Sequence, residues 1–314
     1  MTQVQVPVLH LDAFRTGSDD ERTRFCDALF SACQRFGFVV IRDHGVDSSL
    51  LSESYRLVEE FFAQPANVKD QYKVAGGHRG YTPFGTEKAK GSATPDLKEF
   101  WHIGPERQIR SALNTDNVWP SEVPGFKEAL TELFARLHDV GEDLLEALTR
   151  KLDVPSDYFA VRVAEGDSVL RLLHYPPIAA GADPHALRAA AHEDINLITI
   201  LVAAQGAGLE LLDRNGAWLP VENEPGDLIV DTGDMMARIT NGVLPSTTHR
   251  VVNPKGPNVS RYSMPFFMHL AADTPLDCLP SCIGQGFDHP PTTAGAYLIE
   301  RLRENGMITD GSDV

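Results

Sequence analysis

Apolar and polar positions change their period twice along the chain. The opening run VPVLHLDAF alternates as a half-buried strand would, and Ser18, Asp19 and Asp20 then supply capping chemistry for a helix. In ERTRFCDALFSACQRFG the residues Phe25, Leu29, Ala32 and Phe36 recur at helical spacing, and Gly37 stops the helix before the apolar strand FVVIRDHGV. A second helix is predicted from Ser48 to about Phe62. Residues 67–103 lose periodicity: the Gly76-Gly77 pair and the run GYTPFGTEKAKGSATPD read as loop. Leu130, Leu133, Phe134, Leu137, Val140, Leu144, Leu145, Leu148 and Leu152 then mark one face of a long helix over 126–152, which must bury that face on a sheet.

After Asp153 the pattern shortens. SVLRLLHYPP, INLITILVAA, GLELLDRNGAWLPVE, GDLIVDTG and SRYSMPFFMHL are apolar runs separated by Gly, Pro and Asn, the signature of a jelly roll or barrel. Asp213-Arg214-Asn215-Gly216 reads as a hairpin, with Asn-Gly expected to take the positive φ angles of a tight turn. AGAYLIERLRENG predicts a closing helix ended by Gly306. The fold class is therefore mainly β with flanking helices: a double-stranded β-helix core, an N-terminal helical segment and a C-terminal helix. One compact unit over 1–314 divides into an α/β region with an irregular loop (1–125), a supporting helix (126–152), the jelly-roll core (153–272) and a closing loop and helix (273–314).

Composition narrows the partners. Hydrophobic residues at 42% and charged residues at 23% fit a self-folding globular chain. A formal charge of −16 disfavours phosphate-backbone binding, so a small-molecule partner is expected and nucleic acid is not. No apolar run approaches a bilayer span and the N-terminus lacks a basic start followed by an apolar stretch, so no membrane partner and a cytoplasmic location are expected. Cys26, Cys33, Cys278 and Cys282 have no zinc or redox spacing and read as free thiols. No heptad repeat is present, and a monomer is expected.

Candidate chemistry lies in RAAAHEDINLITILV. On an extended backbone His192 and Asp194 project from one face. Fifty-seven residues after His192, STTHRVVNP places His249 in a second β-like run that can lie opposite the first. Two imidazoles and a carboxylate on one side of a metal, with open positions opposite, suit non-haem Fe(II) oxygen chemistry. Any His-x-Asp taken alone is more often a solvated pair on the protein surface than a pair of metal ligands. Arg261 and Ser263 share a face of the next strand, and a guanidinium fork beside a hydroxyl suits the far carboxylate of a dicarboxylic acid. The competing explanation for Arg261 is a salt bridge to Asp231 or Asp234.

The ordered set His192-x-Asp194, His249 and Arg261-x-Ser263 resembles the isopenicillin N synthase-like branch of the Fe(II)/2-oxoglutarate-dependent dioxygenases. IRDHGV is similar to that family's Asn-His-Gly-Val segment, with Asp43 in place of Asn. RLLHYPP is similar to its Asn-Tyr-Tyr-Pro-Pro segment, and GDLIVDTGDMMARITNGVLPSTTHRVVNP to its Gly-Asp, Asn-Gly and His-Arg-Val succession. The resemblance runs from about Val6 to Leu270.

It implies iron held by His192, Asp194 and His249, and 2-oxoglutarate held through Arg261 and Ser263, with Tyr175 a co-substrate contact. His174 departs from the family pattern, and a packing role is the better reading of it. The implied reaction couples decarboxylation of 2-oxoglutarate by O₂ to hydroxylation, desaturation or cyclisation of a small organic substrate. Oxidases of the isopenicillin N synthase or ethylene-forming type share these motifs, and a non-catalytic metal-binding β-barrel is the alternative from another class. The candidate substrate residues are Arg79, Tyr81, Phe100 and Phe266, the first three because they flank an irregular N-terminal loop that in the family covers the barrel mouth. The alternative for Phe100 and Phe266 is core packing, and for Arg79 a solvated side chain. Met235 and Met236 are expected to fill core.

Overall fold

The computed structural model describes residues 5–74, 76, 78–88, 94–106, 116–183, 185–203, 207–284 and 289–304. Gly77 and Gly306 lie outside these residues.

Among the described residues twelve strands form, in chain order β1 (Val8–His10), β2 (Phe38–Arg42), β3 (Gly80–Thr82), β4 (Glu99–Ile103), β5 (Val169–Tyr175), β6 (Ala189–His192), β7 (Ile198–Val202), β8 (Leu209–Leu212), β9 (Trp218–Pro220), β10 (Leu228–Thr232), β11 (His249–Val251) and β12 (Arg261–Met268). Eight make a large sheet in the order β1-β2-β10-β7-β12-β5-β4-β3, and four make a small one, β6-β11-β8-β9. The helices are α1 (Asp12–Arg15), α2 (Asp19–Phe36), α3 (Ser48–Phe62), α4 (Ala66–Lys69), α5 (Phe126–Leu152), α6 (Ala160–Val163), α7 (Asp234–Ile239) and α8 (Ala294–Glu304).

Each face of the large sheet buries a different core, because successive side chains of a strand point to opposite sides. Leu170, Leu172, Ile198, Ile200, Met264, Phe266 and Met268 pack with the apolar stripes of α2, α3 and α5. Contact with α5 is close: a Cβ at Gly141 would lie 2.5 Å from Met268 Sδ. The other face turns Phe38, Val40, Phe100, Leu173, Tyr175, Leu201 and Ile229 toward Ala189, Leu209, Leu211 and Val251 of the small sheet. The two sheets thus close into a jelly roll.

Local signals act as expected in several places. Ser18 and Glu21 form a reciprocal capping box on α2, and Gly37 ends that helix at φ 67°. Three details differ. Only Val8–His10 of the opening run is strand, since Asp12–Arg15 winds into a helical turn. In the β8–β9 hairpin Gly216 takes φ 78°, while Asn215 is not among the positive-φ residues, so the turn is a longer loop and not a two-residue Asn-Gly type. The stretch 67–103 is not all loop: it contains α4, β3 and the fully buried β4. Its periodicity is hidden because Glu99 and His102 are buried among distant partners and so read as solvent-facing.

Candidate active site

His192 ends β6 and His249 begins β11, and the two are Cα partners across an antiparallel pair. Cross-strand partners carry their side chains on the same face, so both rings project together, with centroids 4.4 Å apart. Asp194 lies beyond the end of β6, in the turn leading to β7. Its Oδ1 stands 3.7 Å from Nε2 of each histidine. The three donor atoms fall within 4.8 Å of one another. His192 Nδ1 donates to the Ala190 carbonyl at 2.7 Å and His249 Nδ1 to that of Thr247 at 3.1 Å, which leaves both Nε2 lone pairs facing the common centre. Burial, followed by His249, holds the His192 imidazole down at about 4, so it is neutral at physiological pH, as a metal ligand must be.

Asp194 is fixed from behind. Thr199 Oγ1 donates to its Oδ2, and Asn196 Nδ2 donates to Thr199 Oγ1 at 3.1 Å. The Asp194 carbonyl accepts the Asp234 N–H at the start of α7 at 2.7 Å. Gly233 permits that approach, since a Cβ there would meet the Asn196 carbonyl at 2.2 Å. Two other His/Asp/Glu groupings occur among the described residues, His10-Asp12-Asp43 and His138-Asp139-Glu142, but the first is exposed throughout and the second lies along the outer part of α5. Neither has a buried set of donors that a closed metal site requires.

Arg261, Ser263 and Tyr175 line the jelly-roll interior from β12 and β5. Arg261 is the register partner of Tyr175 and its guanidinium carbon lies 5.1 Å from that ring's centroid. Arg261 is 3% exposed, yet its Nε and Nη1 have no hydrogen-bond partner. The salt-bridge explanation fails among the described residues: Asp234 pairs with Arg301 at 3.0 Å, while burial and then Asp194 push the Asp231 carboxyl well above its usual range. A buried guanidinium with orphaned donors calls for a ligand carboxylate.

The four substrate candidates do not come together. Tyr81 packs on the helix side against Phe61 and donates to Glu99. Phe266 is buried on that same side, 4.9 Å from Phe134 of α5. Arg79 is buried rather than solvated, 3.8 Å from Asp167. His174 also faces the helix side, bound to Glu99 at 2.8 Å and stacked on Tyr262. Met235 and Met236 are buried in the main core. Phe100 alone of the four faces the jelly-roll interior.

Phe100 has neighbours on this face that belong to none of the motifs above. His102 shares its face of β4, Arg171 shares that of Leu173 and Tyr175 on β5, and Phe267 that of Arg261 on β12. Arg171 lies 4.4 Å from the Phe100 ring centroid and 5.3 Å from that of Phe267. Its Nε donates to His102 Nε2 at 2.6 Å and its Nη1 to Glu87 at 3.1 Å. Glu87 also binds Lys98 at 2.5 Å, and Lys98 binds Asp96 at 2.8 Å. Burial opposes ionisation of Glu87, but Arg171 and Lys98 outweigh it and hold the carboxyl far below its usual range. Asp96 in turn accepts the Ala190 N–H at 2.9 Å, tying this network to the strand that carries His192. The available signal was parity: a charged residue four positions before Tyr175 on a strand faces the same way.

Comparison with known proteins agrees with this geometry. Residues 6–122 match the family described as non-haem dioxygenase in morphine synthesis N-terminal, and residues 166–270 match the 2OG-Fe(II) oxygenase superfamily. A 2-oxoglutarate-Fe(II) type oxidoreductase of Aspergillus fumigatus is 30% identical over 96% of this chain and 94% of its own. Among solved structures, a putative 2OG-Fe(II) oxygenase family protein from Caulobacter crescentus superposes with a TM-score of 0.85 at 43% identity, covering 96% of this chain and 99% of that one. A full-length Neurospora crassa protein in complex with alpha-ketoglutarate and thymine gives 0.86 at 25% identity, covering 95% and 96%.

The chain belongs to the Fe(II)/2-oxoglutarate-dependent dioxygenase superfamily, in its isopenicillin N synthase-like branch. It is an oxidoreductase whose cofactor is Fe(II) and whose co-substrates are 2-oxoglutarate and O₂. Among the described residues no helix is long and apolar enough to cross a membrane.

Proposed function

We propose that this oxygenase holds iron through His192, Asp194 and His249, anchors 2-oxoglutarate on Arg261 and Ser263 beside Tyr175, and hydroxylates a small substrate. The substrate rests against Phe100, His102, Arg171 and Phe267. The observation that carries the reading is Arg261: a buried guanidinium with two unpartnered nitrogens, on the interior face that the three-donor cluster also addresses. When bound, Fe(II) with 2-oxoglutarate and O₂ supplies the oxidising power, yielding succinate and CO₂.

The chain's own residues then have three tasks. The Nδ1 bonds to Ala190 and Thr247 fix both imidazole tautomers, and Thr199 fixes the carboxylate. Arg261 and Ser263 orient the co-substrate by its distal carboxylate. Phe100, Phe267 and the Arg171 side chain between them exclude water and present an N–H edge beside two flat apolar surfaces. That combination suits a small substrate with a planar or apolar body and a carboxylate or carbonyl acceptor.

The finer setting is part of the proposal. Four free cysteines fit a reducing, cytoplasmic compartment, and the charge of −16 fits a partner other than nucleic acid or an anionic membrane surface. The stripe of α5 is covered by its own sheet, in keeping with a monomer. The test is succinate release from the Fe(II)-loaded enzyme over a panel of small carboxylates and planar carbonyl compounds. Acceptor-bearing compounds should stimulate release, and Arg171→Leu should abolish the stimulation while leaving 2-oxoglutarate affinity intact. Stimulation unchanged in Arg171→Leu would contradict the assignment of this face.

A further inference from the structure

A second arginine stands beside the first in the same condition. Arg188 precedes β6 and is 4% exposed, and its Nε has no hydrogen-bond partner. Its Nη2 donates at 2.6 Å to the carbonyl of Val259, two residues before Arg261, and its backbone N–H donates to Asn253. Among the described residues neither arginine is paired with a carboxylate. The two share surroundings: Tyr175 lies under the Arg261 guanidinium, and after burial, the first cause, the Arg261 charge is the next influence that lowers the Arg188 pKa.

Burying one guanidinium without a counter-ion is costly, and burying a second near it adds repulsion that no carboxylate among the described residues offsets. Structural needs do not explain the pair, since one carbonyl uses only one of the five N–H groups of Arg188. An anion entering between the two strands would use the orphaned donors of both.

We propose that Arg188 is a second guanidinium of the co-substrate pocket, acting with Arg261 on the distal carboxylate of 2-oxoglutarate. The inference rests on the reading of Arg261 as the anchor. Arg188 raises affinity for the dicarboxylate and makes the pocket select against 2-oxo acids that lack a distal charge.

The test is anaerobic titration of the Fe(II)-loaded protein with 2-oxoglutarate and with 2-oxopentanoate, which has the same chain but no distal carboxylate. Binding is read from the charge-transfer absorbance of the bound 2-oxo acid, for wild type, Arg188→Gln, Arg188→Lys and Arg261→Gln. Thermal melting without ligand reports the fold of each. Arg188→Gln is expected to weaken 2-oxoglutarate by about tenfold or more while changing 2-oxopentanoate by less than about twofold, with Arg188→Lys between wild type and Gln.

Equal weakening of both acids would make Arg188 a brace for the Val259 segment and overturn the proposal. So would unchanged 2-oxoglutarate affinity in Arg188→Gln. If Arg188→Gln does not fold, Arg188→Lys decides alone: a loss for 2-oxoglutarate but not for 2-oxopentanoate supports the proposal, and any other result overturns it. Unchanged 2-oxoglutarate affinity in Arg261→Gln would remove the anchor reading itself, an outcome distinct from failure of the Arg188 variants alone.

Discussion

His192 and His249 face each other directly across the β6–β11 pair, and each spends its Nδ1 proton on the carbonyl two residues behind it. Their convergence is a property of strand register, not of a flexible loop. A one-residue slip of either strand would turn its ring to the other face.

Loss of one ring should therefore remove the metal without unfolding the chain. His249→Ala is expected to abolish Fe(II) binding at micromolar metal, while circular dichroism and the cooperative unfolding transition persist. Thr199→Val, which removes the donor to Asp194, should weaken Fe(II) by roughly 10- to 100-fold. Equilibrium dialysis against Fe(II) measures both, and full occupancy in His249→Ala would remove it from the ligand set.

Arg261→Lys keeps the charge but loses the planar fork. An increase of roughly 10- to 100-fold in the 2-oxoglutarate dissociation constant is expected, about 1.4 to 2.8 kcal/mol, with Fe(II) affinity unchanged. Calorimetric titration of the metal-loaded protein reads the change.

Adjacent phenylalanines of β12 should behave in opposite ways. Phe266 is fully buried against α5, so Phe266→Ala should cost about 3 to 5 kcal/mol of stability in chemical denaturation. Phe267 lies on the interior face beside Arg171, so Phe267→Ala should change which compounds stimulate succinate release more than it changes stability. A similar stability loss in both variants would count against the assignment of faces.

Acid should destabilise the protein partly through His269. Burial lowers it from its ordinary 6.5 to about 4, against the opposing charges of Asp167 and Asp194. Its folded pKa lies below its unfolded one, so the unfolded chain binds more protons between those values. The stability from the neutral ring is present above pH 6.5 and lost as pH falls toward 4. Between pH 7 and pH 5 this group should cost the wild type on the order of 2 kcal/mol. His269→Gln should show a correspondingly shallower decline in urea unfolding, and parallel declines would show that the ring does not titrate there.

Much of this was legible in the sequence because it depended on local parity. The Arg261/Ser263 alternation and the α5 stripe each need only the period of one element. Asp194 reaches the site from a turn beyond its strand, but its spacing from His192 still brought it near. The substrate face was hidden for the opposite reason. In EFWHI no apolar-polar alternation survives, since Glu99 is satisfied by Lys69 and His174 from other elements and His102 by Arg171. With β4 unseen, Tyr81 and Phe266 could not be assigned to the helix side, nor Arg171 to the interior. Asp43 shows a departure from the family pattern that changes little: it adopts φ 51°, a left-handed conformation that Asp, like Asn, tolerates.

The central claim is that the three-donor cluster and Arg261 serve one 2-oxoglutarate-dependent iron site. Its most direct test is anaerobic addition of Fe(II) to the purified protein with and without 2-oxoglutarate, followed in the visible spectrum. A metal-to-ligand charge-transfer band is expected that requires both additions, disappears in His249→Ala, and needs far more 2-oxoglutarate in Arg261→Lys. Bound iron with no band at saturating 2-oxoglutarate would contradict it.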